Sequence, residues 1–462
     1  MSRGAVPRQL GYEAALPLAI NSRSQRRSFF PDNGATFTSG NNTQIHMRLN
    51  ADAFLDSAHS YLKFKVDLSG GDVAAGTFDP DVGVPWINRI RISSGGQVIE
   101  DVEDWNKLYA FLLLNQSGSD YSIKNGKASG FNMSSLDATP LPGAAAAGSV
   151  LKYGDAATGV VGFDGTNKQT FEYCLPLMTG FFNLDKYLPL LFINGGIDVD
   201  IYLEDPHVCG NFSVGTTAGK EQLPDLKYVV TNVEYMATLI NLDADFNMRL
   251  KSIIDSAGML QLSGTTFRHM QNAVTPASDM TITCPIRVKS IKSIFTLFEP
   301  TNGGRATKTG RYILSNSQRC GITQWQFRIG SVVYPAKPVE VNSASPSFGQ
   351  ESHCELMKAF GTLGNYDHQI SYGAGNYVVD DDAVVAPGAV VPCFAIGYDF
   401  ESFQKATNAI ESGINTADRS LPIVLECKSA STAALTGANA HTYVMADAIW
   451  YINSAGTVTV SV

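Results

Sequence analysis

Charge is scarce in this chain. Only 17% of its 462 residues are Asp, Glu, Lys or Arg, against the roughly 25% usual in soluble proteins. With a net charge of −9, the chain as a whole has no electrostatic hold on nucleic acid. Close cysteine pairs are missing too. The seven cysteines (174, 209, 284, 320, 354, 393 and 427) are odd in number and dispersed, with no Cys-x-x-Cys. That excludes a disulfide framework or a zinc ribbon and points to reduced thiols. No two of the seven histidines are closer than 13 residues, so no short segment offers paired imidazoles to a metal. Nucleophile-elbow, P-loop and dinucleotide-fingerprint motifs are absent. No stretch of 18 apolar residues is present, so no transmembrane helix is expected. Nor does an apolar segment precede the N-terminal basic cluster, so no signal peptide is expected. Cys354 follows His353 directly, and neighbours on a helix point about 100° apart, which removes the one thiol–imidazole pair. The sequence therefore predicts no enzyme, no cofactor, and no catalytic, cofactor-binding or metal-binding residues.

What the chain does have is β periodicity. Leu62, Phe64, Val66 and Leu68 alternate with Tyr61, Lys63, Lys65 and Asp67. Ile45, Met47 and Leu49, then Ile197, Val199, Ile201 and Leu203, alternate with polar residues in the same way. A period of two puts each set on one face of a strand, with the other face polar, as in antiparallel sandwiches. From Ile291 to Phe298 both phases are largely apolar, so that strand is expected to be covered on both sides.

The β pattern occurs twice. Ile90-Arg91-Ile92 runs into a Gly turn, a strand start at Val98-Ile99 and a helical stretch over 104–114. Phe327-Arg328-Ile329 runs into a turn, Val332-Val333-Tyr334 and a helical stretch over 350–360. Ile201-Tyr202-Leu203-Glu204 is echoed by Ile423-Val424-Leu425-Glu426, and Leu239-Ile240-Asn241 by Tyr451-Ile452-Asn453. From Arg91 to Arg328, Leu203 to Leu425 and Ile240 to Ile452 the offsets are 237, 222 and 212 residues. Echoes that keep their order while the offset shrinks indicate two copies, the second with shorter loops. Between them Leu242, Phe246, Leu250 and Ile253 follow helical spacing, with Asp243 or Asp245 to cap the start and Gly258 to end it.

These readings divide the chain into a basic N-terminal arm (1–27), a first β unit (28–243) with a long loop at 117–168, a connecting helix (244–257) and a second β unit (258–462). A shorter loop, about 361–390, takes the matching place in the second unit. The arm carries Arg3, Arg8, Arg23, Arg26 and Arg27 against Glu13 alone. Such a segment suits nucleic acid, anionic lipid or an acidic neighbour; an ordinary solubilising tail is the bland reading.

The layout resembles a known family. Phe29-Phe30-Pro31 with Tyr61-Leu62-Lys63-Phe64-Lys65-Val66, Ile90-Arg91-Ile92 before Gly95-Gly96, Phe181-Phe182-Asn183-Leu184-Asp185, and the closing Asp447-Ala448-Ile449-Trp450-Tyr451-Ile452 are similar to the double jelly-roll major capsid proteins of double-stranded DNA viruses. Those of polintons, polinton-like viruses and virophages are the nearest in layout. The resemblance covers nearly the whole chain from about residue 28. It implies an all-β fold of two tandem eight-stranded jelly rolls with short helices and long surface loops. It further implies pseudo-hexagonal homotrimers tiling an icosahedral shell, and a place in the virion. The implied partners are other copies of the chain, penton and minor capsid proteins, and an internal membrane or the genome through the arm. The competing reading is a tandem β-sandwich adhesin or carbohydrate-binding protein. It is disfavoured by unpaired cysteines and by only four tryptophans.

Overall fold

The computed structural model describes residues 21–40, 43–69, 76–80, 83–116, 162–163, 170–214, 220–221, 227–275, 277–301, 314, 317–341, 349–363, 377, 393–402, 413–418, 422–430 and 437–462. In the first unit, β1 comes in two pieces, Ser22–Phe29 and Thr36–Thr38. β2 (Gln44–Leu49), β3 (Phe54–Ser69), β4 (Ile87–Ser94) and β5 (Gln97–Val102) follow. Helix α1 (Trp105–Gln116) comes next. The unit closes with β6 (Thr170–Leu175), β7 (Ile197–Leu203) and β8 (Lys227–Leu242).

After helix α2 (Ala244–Ala257) the sequence of elements repeats. It runs through β9 (Met259–Val274), β10 (Asp279–Cys284), β11 (Ile291–Pro300), β12 (Ile322–Ile329) and β13 (Val332–Glu340). Helix α3 (Gln350–Ala359) and strands β14 (Ala395–Asp399), β15 (Ile423–Ser429) and β16 (Ala438–Asn453) complete it. A short β17 (Val458–Ser461) folds back on β16.

Each unit is a sandwich of two antiparallel sheets. The first has the orders β1–β8–β3–β6 and β2–β7–β4–β5, the second β9–β16–β11–β14 and β10–β15–β12–β13. Adding eight to every label of the first unit gives the second. This is the jelly-roll order in both units, so the fold is a double jelly roll. The first unit carries an extra four-stranded sheet of short segments, Gly76–Pro80, Gly162–Phe163, Gly210–Val214 and Lys220–Glu221.

The alternating faces are the cores. Leu62, Phe64, Val66 and Leu68 are buried in the first sandwich, and Ile423, Leu425 and Cys427 in the second. All four tryptophans are fully buried, which leaves none for a sugar platform. The echoed segments fall on equivalent strands, β4 with β12, β7 with β15 and β8 with β16. One echo is out of register. If Arg91 corresponds to Arg328, then Ile90, which faces Ile201, corresponds to Phe327, which faces Leu425. The true counterpart of Leu425 is Ile201, not Leu203. A slip of two residues keeps the same face of a strand, so hydrophobic rhythm alone does not detect it.

The connecting helix has the expected bounds, and Gly258 closes it with φ 78°, a left-handed cap that glycine adopts without a Cβ penalty. Its start differs from expectation. Asp243 stands at the N-cap without a side-chain cap bond, and its backbone carbonyl accepts from the amides of Phe246 and Asn247. The buried face also differs. Ile254 is buried, while Ile253 and Met248 are exposed, because the helix lies on the surface with Phe246, Asn247 and Leu250 only half-buried beside Ile254.

Candidate functional site

Two places stand out: the seam between the sandwiches and the basic edge strand. The seam is built around α1. This helix leaves the first sandwich and lies against the outer face of β11 and β16. Phe111 stacks on Phe295 with ring centroids 5.4 Å apart and meets Phe360 at 5.5 Å. The expectation that β11 is covered on both sides holds for this reason: from Ser293 to Glu299 every residue is buried. Farther along, Phe181 packs edge-on to Trp450 at 5.7 Å. Gly180 comes so close to β9 that a Cβ there would lie 2.0 Å from the Thr265 carbonyl oxygen. Only glycine fits.

Polar groups are buried in the same seam. Glu100, at the end of the first sandwich, accepts from the backbone amides of Gly180 and Phe181, both at 2.9 Å, and from Thr266 Oγ1 at 2.7 Å. Burial pushes its carboxyl above the usual range, and the three donors and Arg268 oppose that shift. Lys107 on α1 forms an ion pair with Glu299 of β11. His441 Nε2 lies 2.7 Å from Glu299 Oε2 and 3.1 Å from Lys107 Nζ. Its other nitrogen, Nδ1, is 3.1 Å from His269 Nε2. Asp104 Oδ2 lies 3.5 Å from His441 Nδ1 and 3.7 Å from His269 Nε2. The Tyr443 hydroxyl donates to the Asp104 backbone carbonyl at 3.0 Å, and the Tyr443 ring packs on His269 at 4.6 Å.

No motif in the sequence marks this cluster, because its histidines lie far apart along the chain and only antiparallel pairing brings them together. In the β9–β16 ladder His269 faces Tyr443 and Gln271 faces His441. The two imidazoles are thus diagonal neighbours on one face. Asp104 then arrives from the other sandwich. The one available signal was that His441 shares the phase of Tyr443 on a strand apolar in both phases.

Of the five arginines expected in the arm, Arg3 and Arg8 lie outside the described residues. Arg23, Arg26 and Arg27 are not in a free arm. They sit on β1, which pairs with β8 from Ser22 to Phe29, ahead of the boundary at residue 28 read from the sequence. Ser22 to Arg27 are all exposed. Both faces of this stretch therefore meet solvent, and among the described residues no strand pairs with its outer edge. Arg26 Nη2 donates to the Tyr61 hydroxyl at 2.7 Å and Arg27 lies over Phe29 at 4.8 Å. Charge on an exposed edge also blunts uncontrolled strand pairing.

Nothing in the described residues forms a nucleophile–base pair. Burial pushes the Cys284 thiol up to about 11 and Cys427 higher still. Both are core residues and stay protonated at neutral pH. His353 is held below its ordinary value by burial and packs on the Tyr377 ring at 4.7 Å.

Two like sandwiches in this strand order, packed across one seam, define a double jelly-roll protein. Comparison with solved structures agrees. The chain is similar to the PBCV-1 protein Vp54, fitted into a reconstruction of the virophage Sputnik, with a TM-score of 0.58 at 10% identity, over 98% of this chain and 99% of that one. It is similar to the Faustovirus major capsid protein, with a TM-score of 0.55 at 9% identity over 95% and 92%. It is also similar to the mavirus major capsid protein, with a TM-score of 0.53 at 10% identity over 100% and 96%. No protein-family model and no curated protein sequence matches the chain.

Proposed function

We propose that this protein is a major capsid protein of a double-stranded DNA virus, assembling as trimers that tile an icosahedral shell. The observation that carries the reading is the paired strand order of the two sandwiches across a length shared with whole capsid subunits. Its physical logic is geometric. Two like sandwiches side by side make a block, and three such blocks around an axis present six similar edges. A closed threefold contact is heterologous and needs one complementary pair of surfaces per subunit. The low charge content fits a surface largely covered by copies of itself.

In this reading the work is done by surface complementarity, without chemistry. Loops 117–168 and 361–390, most of which lie outside the described residues, face outward, since loops at the end of a sandwich tolerate variation. The N-terminal segment with Arg3 and Arg8, continued by Arg23, Arg26 and Arg27 on β1, faces the interior or a neighbouring capsomer. An internal membrane or the genome is its partner there, and penton and minor capsid proteins complete the shell.

Light scattering on the purified chain tests the trimer: the expected mass is about 149 kDa, three times 49.7 kDa. Electron microscopy tests the shell. A chain that stays monomeric and forms no particles under any assembly condition sinks the proposal. Deleting residues 2–21 spares β1, so trimers are expected to survive and closed particles to become rare. If membrane or genome is the partner, the arm's contact weakens with salt as the screening length falls from about 10 Å at 0.1 M to about 3 Å at 1 M.

A further inference from the structure

We propose that Asp104, His269 and His441 hold one divalent cation of the zinc class, and that this ion fastens one sandwich to the other. The inference stands apart from the capsid reading. It begins with three donor atoms that converge from separate parts of the chain: Asp104 Oδ2, His269 Nε2 and His441 Nδ1. Their separations are 3.1, 3.5 and 3.7 Å, and all three side chains lie together at the seam. Ligands about 2.0–2.1 Å from a tetrahedral zinc ion stand roughly 3.3–3.4 Å apart. The observed triangle needs only small adjustments to close on such an ion. Two imidazole nitrogens and one carboxylate oxygen suit zinc, whereas calcium and magnesium select oxygen alone. Three protein ligands leave the fourth position for water.

The surroundings are those of a ligand set held in place. His441 presents Nδ1 because its Nε2 is engaged by Glu299 at 2.7 Å. A carboxylate behind a histidine fixes the tautomer and makes the facing nitrogen a better ligand. His269 is clamped against the Tyr443 ring. Asp104 has a left-handed backbone with φ 47°, an uncommon conformation for a residue other than glycine. Tyr443 holds it there through the backbone carbonyl. Asp104 comes from the first sandwich and both histidines from the second, so the ion bridges the two.

The test uses the whole chain, stripped with chelator and dialysed, with zinc chloride as the probe. Metal analysis after gel filtration should give one zinc per chain, and zinc should raise the temperature of thermal unfolding. Cobalt in its place should give the absorption of a tetrahedral nitrogen–oxygen site without a thiolate charge-transfer band. That separates this site from the cysteines. His269→Gln and Asp104→Asn, each checked for folding by circular dichroism, should weaken zinc binding by about 100-fold or more, since even an outer-shell partner carries roughly 10–100-fold. Folded wild-type protein that binds no zinc overturns the proposal. So does zinc bound equally well by the folded His269→Gln chain, or a cobalt spectrum of thiolate type. A seam whose stability responds to pH but not to zinc also overturns it and assigns a shared proton to the imidazole pair.

Discussion

Helices α1 and α3 occupy the same place in the two sandwiches, each following the fifth strand of its unit, yet their surroundings differ. In α1 ten residues are buried, Asn106 and Lys107 among them. In α3 only Ser352, Leu356 and Ala359 are buried. Two sandwiches side by side share one seam, and a helix from one of them fills it. α1 does so and is enclosed on all sides. α3 is less enclosed: half of its residues are only half-buried, and Lys358 pairs with Glu355 at a partly exposed position. A duplicated fold thus need not have duplicated energetics: packing one copy against the other breaks the equivalence.

The strongest way to break this comparison is to remove the lysine of each helix. Lys107→Ala leaves Glu299 buried without its ammonium partner and is expected to cost about 3–5 kcal/mol. Lys358→Ala removes a pair that solvent partly screens and is expected to cost no more than about 1 kcal/mol. Urea denaturation of both variants decides it, and equal losses would mean that α1 is not special. The comparison sharpens in the cores, where the two units should match. Phe64→Ala in the first and Phe327→Ala in the second each empty a fully packed site and should each cost roughly 3–5 kcal/mol. A loss confined to one variant would show that the sandwiches are unequal throughout, not merely at the seam.

The smallest expected effect is on pH dependence, and it has opposite signs in the two regions. Glu100 at the seam has a raised folded-state pKa. Its contribution is fully present below the ordinary value of 4.5 and is lost as pH rises through the raised value. His353 on α3 has a lowered one. Its contribution is fully present above the ordinary value of 6.5 and is lost as pH falls through the lowered value. Relative to Glu100→Gln, the wild-type chain should therefore lose stability on the alkaline side of 4.5. Relative to His353→Gln it should lose stability on the acid side of 6.5. Denaturation midpoints across that range would reveal a reversed slope in either pair.

The sequence by itself determined the two sandwiches. Alternation of apolar and polar residues is a local property with a period of two, and one buried face per strand follows from it without knowledge of the partner strand. Leu62, Phe64 and Val66 were legible as core for that reason, and so were Ile423, Leu425 and Cys427. Helices α1, α2 and α3 were legible from spacing and from turn residues such as Gly258. Tertiary structure alone decided the rest. Register between repeats was hidden, because a slip of two residues leaves every face unchanged. The pairing of β1 with β8 was hidden because Ser22 to Arg27 is polar on both faces and shows no alternation to read. The seam cluster was hidden because its members come together only when strands 172 residues apart pair and a helix from the other sandwich lies down across them. Local pattern fixes which face of a strand is buried; what lies against that face depends on contacts that sequence distance does not encode.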